Sequence, residues 1–150
     1  MKMDYSKFNQ AFDMNELKSQ IDEAKKNGGK KGDVPVNQHY DVRIDKLELT
    51  ESKKGDPMVS VWFTILDGEF TKFKLFMNQP VNKGMGIHIM NEFLRSLKSG
   101  VEVEFEDYQQ YGKMLENIFD IVNEKFEYSL FYGKKGEYNT FKIKEVYEVE

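Results

Sequence analysis

The sequence predicts an α+β domain that is mostly β, and three observations carry the prediction. Strand-like stretches of alternating apolar and polar residues recur five times, three before residue 78 and two after residue 125. Between them, residues 87–122 switch largely to helical spacing. Nothing in the chain has the strand–helix–strand rhythm of a doubly wound sheet. Three meandering strands, a helical insertion and a closing hairpin are the order of an OB-fold. That fold is a five-stranded barrel with helix between its third and fourth strands. An amphipathic helix precedes it. Residues 1–33 therefore read as an N-terminal helix with a flexible linker, and residues 34–150 as the OB-like domain.

Asp13 is the expected N-cap of the first helix, with Glu16 three residues on as in a capping box. Met14, Leu17, Ile21 and Ala24 follow at helical spacing, and Asn27-Gly28-Gly29 marks the stop. Gly28 to Asp33, GGKKGD, is a flexible linker by composition. Tyr5, Phe8 and Phe12 precede the helix and are available to dock on the domain or on a partner. In the first strand, Tyr40, Val42 and Ile44 are apolar at even positions, whereas Leu47 and Leu49 are apolar at odd ones. A phase shift inside one strand predicts a β-bulge near Asp45–Lys46. Lys53-Lys54-Gly55-Asp56-Pro57 is a turn, Met58 to Leu66 the second strand, Asp67-Gly68 a hairpin signal and Phe70 to Met77 the third strand.

Ile87, Met90, Phe93, Leu94 and Leu97 mark a helix that Gly100 stops. Val101 to Phe105 is a short extended piece. Tyr108 to Val122 is the next helix, with Tyr111, Met114, Leu115, Ile118, Phe119 and Val122 as its apolar stripe. Phe126 to Tyr132 is the fourth strand, Gly133-Lys134-Lys135-Gly136 a turn, and Tyr138 to Val149 the last strand.

Composition narrows the function. A chain of 150 residues is long enough for one domain with a real core. It has no cysteine, which excludes disulfides, Cys-ligated zinc and thiol catalysis. No apolar run approaches the ~20 residues of a membrane-spanning helix. The N-terminus lacks the apolar stretch of a secretory signal, so a cytoplasm is the simplest compartment. The net charge of −4 argues against a generally basic nucleic-acid binder. Most of that excess lies in residues 78–123, so a local basic face remains open on the β-rich parts.

Enzyme signatures are scarce. His39 and His88 are the two histidines, and neither has a serine or carboxylate at informative spacing. Glu102, Glu104 and Glu106 alternate with Val103 and Phe105, which reads as a solvated acidic face. Gly84-Met85-Gly86 precedes a helix but lacks the context of a phosphate loop. A magnesium-dependent nuclease using Asp67, Glu69 or the 102–107 carboxylates is the weakest reading. The expectation is a non-enzyme with no cofactor and no metal.

The strand faces are more informative. One face of the third strand presents Phe70, Lys72, Lys74 and Phe76. Two lysines between two phenylalanines make a poor core stripe. They suit single-stranded nucleic acid, where bases stack on rings and lysines neutralise phosphates. In the second strand Val59, Val61, Phe63 and Ile65 are uniformly apolar, while Ser60, Trp62 and Thr64 are mixed. Phe63 is therefore assigned to the core and Trp62 to the other face. Thr140, Lys142 and Lys144 on the last strand, and Glu127, Ser129 and Phe131 on the fourth, extend the mixed surface. Lys53, Lys54, Lys134 and Lys135 lie in turns that would flank it. The competing reading buries Trp62 under another segment or subunit.

The run KLELTESKKGDPMVSVWFTILDGEF, followed by FMNQP, resembles a family of small phage and prophage proteins from Gram-positive bacteria. That family was long catalogued as a domain of unknown function in replication and recombination modules. The resemblance continues through IHIMNEFLRSL, FEDYQQYGKMLENIFD, KFEYSLFYGKKGEYNTFKIKEVYE and the opening FNQAFDMNELKSQIDEAK, nearly the whole chain. It implies a single-stranded-DNA-binding protein with an OB-type core, acting in the cytoplasm of a bacterial host. Two departures stand out. Asn37-Gln38-His39 occupies a strand entry where many members have glycine, and Phe70-Thr71-Lys72-Phe73 also lacks an expected glycine.

Together these readings lead to sequence-tolerant binding of single-stranded DNA. Trp62, Phe76 and Phe131 are the expected stacking residues. Arg43, Lys53, Lys54, Lys72, Lys74, Lys134, Lys135, Lys142 and Lys144 are the expected phosphate contacts, with the acidic residues 102–107 facing away. The tethered helix is expected to drive self-association into a homo-oligomer or to recruit phage replication or recombination proteins. No membrane partner is expected. The alternative is a protein–protein interaction module whose acidic surface binds a partner or mimics nucleic acid, without DNA binding.

Overall fold

The longest strand, β1 (Gln38–Glu51), organises the sheet. Its first part, residues 38–42, pairs antiparallel with β4 (Phe126–Lys135), and residues 42–51 pair antiparallel with β2 (Pro57–Ile65). β2 then pairs with β3 (Lys74–Pro80), and β4 with β5 (Tyr138–Glu148). The strand order is β3-β2-β1-β4-β5, all antiparallel. The fold is thus α+β and mostly β. This computed structural model describes residues 13–26 and 34–149. The chain divides into two units, Met1–Asp33 and Val34–Glu150. The expected linker at Gly28–Asp33, the helix stop at Asn27-Gly28-Gly29, and Tyr5, Phe8 and Phe12 lie outside the described residues.

In the first unit, α1 (Met14–Lys26) begins where the Asp13 carboxylate accepts hydrogen bonds from the Asn15 and Glu16 amides at 2.9 and 3.2 Å. Those are two of the donors that a helix start leaves without intrahelical partners. Leu17 and Ile21 are exposed.

In the second unit, two helices cover the inner face of the sheet. α2 (Gly84–Ser96) buries Met90, Phe93 and Leu94, and α3 (Tyr108–Lys125) buries Tyr111, Met114, Leu115, Ile118 and Val122. Asp107 caps α3 by accepting from the Gln110 amide at 2.7 Å. These faces meet Val42, Ile44, Val59, Val61, Phe63, Ile65, Tyr128 and Leu130 from the strands in one core. Two core tyrosines keep a polar partner, as buried hydroxyls require. Tyr111 donates to Asn91 Oδ1 at 2.6 Å, and Tyr128 to the Leu97 carbonyl at 2.8 Å.

The sheet is open. Among the described residues no ladder joins β3 to β5, so the five strands do not close into the expected barrel. Instead α2 contacts both β3 and β5. Its Phe93 lies edge-on to Phe63, with ring centroids 6.2 Å apart. The sheet still coils strongly. Phe63 on β2 stacks on Phe141 of β5 at 5.6 Å and 11°. Three strand spacings in a flat sheet would separate those strands by roughly 14 Å.

The expected bulge is present. The β1–β2 register steps from Ile44↔Phe63 to Lys46↔Trp62, leaving Asp45 unpaired. The Asn123 amide of α3 donates to the Ile44 carbonyl at 3.1 Å, a backbone acceptor at this irregularity.

Three boundaries differ from the sequence reading. The third strand starts at Lys74, not Phe70, because residues 66–73 form a turn. Lys72 there has a left-handed φ of 74°, and its amide donates to the Ile65 carbonyl at 2.8 Å. Phe70 packs against Tyr40 and Phe73 and does not share a strand face with Phe76. Gly133, Lys134 and Lys135 continue β4, so the hairpin turn falls at Gly136-Glu137, with Gly136 at φ 64°. Val101–Phe105 joins no ladder. Its alternation survives, with Val103 buried and Glu102 and Glu104 exposed. The strand entry and the β2–β3 turn are left-handed at Asn37 (φ 61°) and Lys72.

Among the described residues no helix is long and apolar enough to cross a membrane.

Candidate nucleic-acid interface

The outer face of β1, β2 and β3 follows from strand alternation and the bulge. Alternation turns Trp62 outward as Phe63 turns in, and the register sets it between Lys46 and Phe76. The Lys46 ammonium lies 4.2 Å from the centroid of the Trp62 ring, a cation–π contact. Phe76 meets the ring at 5.3 Å and 90°. Lys46 also pairs with Glu48 at 3.1 Å. Both aromatic rings are half-buried.

One step along β1, Asp45 gathers a polar network. Its carboxylate accepts from Arg43 Nε at 2.9 Å, from Lys74 Nζ at 2.6 Å and from the Thr64 hydroxyl. Lys74 also bonds Thr64. Burial pushes the Asp45 carboxyl pKa up, but the hydrogen bonds from Lys74, Thr64 and Arg43 outweigh it and hold the group below the usual carboxylate value. The Lys74 side chain is only 12% exposed, so a phosphate has poor access to it. The Arg43 side chain is 50% exposed and remains within reach of one. Ser60 and Thr64, read as part of an open mixed face, are buried, and Ser60 donates to Asn78 Oδ1 at 2.7 Å.

Phe131 belongs to a second cluster. It faces His39 across the β1–β4 ladder at 5.0 Å and pairs with Lys142 of β5. At Gly133 a Cβ would stand 2.6 Å from the Thr140 hydroxyl oxygen and 3.1 Å from the Phe131 ring. His39 and Lys46 are seven residues apart on β1, roughly 20 Å at strand rise. Trp62 and Phe131 therefore do not form one platform. Between the two clusters lie Asp41, Asp67, Glu127 and Glu145. Burial raises the Asp41 pKa, and Asp67, Glu127 and Glu145 raise it further. Tyr147 donates to Glu145 at 2.6 Å, which together with burial and nearby charge pushes its hydroxyl up to about 12.

The remaining basic residues are distributed around the sheet. Lys53 and Lys54 sit in the β1–β2 turn, which Ser52 closes by accepting from the Asp56 amide at 3.1 Å. Lys72 is exposed in the β2–β3 turn. Lys134 and Lys135 lie at the end of β4, beside the opposite end of β1 from Lys53 and Lys54. Lys144 falls in a second register irregularity, between the pairs Ser129↔Glu145 and Leu130↔Ile143.

Sequence reasoning missed Lys46 and Asp45. The signal was present, because a bulge turns two successive side chains to the same face. With the phase shift located at Asp45–Lys46, both belong beside Thr64 and Trp62.

Among the described residues no three histidines, aspartates or glutamates are placed to hold a metal ion. His39 and His88 are exposed. A hollow of about 450 Å³ beside α3 is lined by Val101, Asp107, Gln110, Lys113 and Met114 among others. Its carboxylate, Asp107, is engaged in capping α3. Neither a scan against protein-family models nor a search of the curated proteins finds a match to this chain.

Proposed function

We propose that this chain binds single-stranded DNA without catalysing a reaction, through the outer face of β1, β2 and β3. The observation that carries the reading is the Lys46–Trp62–Phe76 cluster: two aromatic rings and an ammonium on one sheet face. Single-strand binders combine ring faces for bases with cations for phosphates, and the contact is sequence-tolerant because every base has a π face. The strand order supports an OB-type reading, since β3-β2-β1-β4-β5 is also the order that an OB barrel would have if opened between its third and fifth strands. OB-folds bind oligonucleotides on the face of strands 2 and 3 and with the flanking 1–2 and 4–5 loops. Here the 1–2 turn brings Lys53 and Lys54, and the end of β4 beside the 4–5 turn brings Lys134 and Lys135.

Arg43, Lys46 and Lys74 already have carboxylate partners. Stacking therefore supplies a larger share of the affinity than charge does, and salt dependence is modest for a DNA binder. The proposal extends to a role in phage replication or recombination inside a bacterial cell, with the N-terminal helix joining copies of the chain or recruiting another protein; the resemblance in sequence is what supports this part of the reading.

The test is quenching of the single tryptophan as single-stranded oligonucleotide is added at two salt concentrations. Saturable quenching is the expected result for the wild type. Trp62→Ala, which carries no tryptophan and is followed instead by the anisotropy of a labelled oligonucleotide, should bind about 5- to 150-fold more weakly, given ~1–3 kcal/mol per stacked base. Absence of binding at low salt would overturn the reading. A second reading, a protein-interaction module, is favoured by one observation: the Asp41–Asp67–Glu127–Glu145 cluster gives the same outer face an acidic centre.

A further inference from the structure

The Trp62 ring is not bare. Lys46 lies over it at 4.2 Å from the centroid, the position a stacked base would take. Phe76 occupies the neighbouring strand at 5.3 Å and 90°. Lys46 reaches this place because the register skips Asp45, which sets Lys46 directly across from Trp62. Its ammonium is also tied to Glu48 at 3.1 Å, yet the side chain remains about one-third exposed (34%). Both holds on the ammonium are of the weak kind found at protein surfaces.

Resting on the DNA-binding reading above, we propose that Lys46 is a displaceable cover on the Trp62 stacking surface. In the free protein its ammonium shields the ring. When a base arrives, the base takes the ring face and the ammonium swings to the adjoining backbone phosphate. One side chain thus keeps a surface aromatic from unwanted apolar contact and then supplies a phosphate contact at the same step. Lys74 is unsuited to this exchange: it is held by both Asp45 and Thr64 and is nearly enclosed. Lys46 is therefore a positioning residue for the stack, and its role is separable from that of the ring.

The test uses the full chain and an oligothymidylate. Each phosphate contact to a single strand contributes about 0.7 to the slope of log affinity against log salt. Lys46→Ala is expected to reduce that slope by about 0.7. Its affinity deficit should accordingly shrink about 2.6-fold between roughly 50 and 200 mM salt, which is fourfold in salt to the power 0.7. In the free variant, Trp62 should become more open to quenching by acrylamide, while the bound forms of variant and wild type are quenched alike. Lys46→Arg should restore the slope, because guanidinium can both cover a ring and contact a phosphate. If Lys46→Ala binds with the wild-type slope, or leaves free Trp62 no more accessible, Lys46 is not the cover and DNA binding stands without it. If the wild-type chain fails to bind oligothymidylate at low salt, the DNA reading falls and the cover with it.

Discussion

Phe63 and Phe141 stack face to face at 5.6 Å although their strands, β2 and β5, are three places apart in the sheet. The contact requires the sheet to coil around its core, and it makes the last strand part of that core. Phe63 is fully buried, and Phe141 is partly so. Phe63→Ala is expected to cost about 3–5 kcal/mol in urea unfolding. A double-mutant cycle with Phe141→Ala should give a coupling of about 0.5–1.5 kcal/mol. A coupling near zero would mean that the rings do not meet in solution.

Gly86 is where α2 is fixed to the end of β3. A Cβ at this position would stand 2.1 Å from the Pro80 carbonyl oxygen, a backbone atom that cannot step aside cheaply. Gly86→Ala should lose about 1–3 kcal/mol of stability. Gly84→Ala, two residues earlier with open space around it, should stay within about 0.5 kcal/mol of wild type. Equal melting of the two variants would show that the close approach is absent.

Two aspartates on the outer face titrate in opposite directions. The Asp45 pKa is lowered in the fold, so its stabilising contribution is full above the ordinary carboxylate value and disappears as pH falls through the depressed one. The Asp41 pKa is raised, so its ionised form opposes folding at neutral pH, and that opposition vanishes in acid. Asp45→Asn should therefore be less stable than wild type at neutral pH, and Asp41→Asn more stable. Both differences should shrink as the pH falls, as read by urea unfolding across the acid range. Two variants shifting stability in the same direction at neutral pH would contradict this arrangement.

Lys72 and Lys98 hold φ of 74° and 56°, conformations that suit glycine. Replacing either with glycine should raise stability by about 0.5–1 kcal/mol, the relief of left-handed strain less the added freedom of the unfolded chain. Asn37, at φ 61°, is a residue type that tolerates this region, so Asn37→Gly should change little. Denaturant midpoints for the three variants provide the comparison.

The local elements were legible because each rests on short-range chemistry. The Asp13 cap follows from a side chain that reaches amides two and three residues away. The bulge at Asp45 was visible as a change of phase in apolar residues. The third strand was overextended because Phe70, Lys72, Lys74 and Phe76 alternate as a strand would. Alternation cannot register that Lys72 turns left-handed and that Phe70 folds back onto Tyr40. The fourth strand was cut short at Gly133, where a side chain would crowd Thr140 and Phe131 within the sheet and which does not mark the turn.

The sequence by itself determined the α+β class, the order of strands and helices, and the inward Phe63 beside the outward Trp62, since period and side-chain alternation are properties of neighbours along the chain. Tertiary structure alone decided that the sheet stays open between β3 and β5, because closure depends on ladders between strands distant in sequence. It also decided which cations are engaged. Lys74 and Arg43 converge on Asp45, and Lys46 covers Trp62, through registers that bring together residues up to 29 positions apart. The separation of Phe131 from Trp62 arises in the same way: both rings face outward, but β1 carries their neighbours seven residues apart, His39 at its start and Lys46 past its middle.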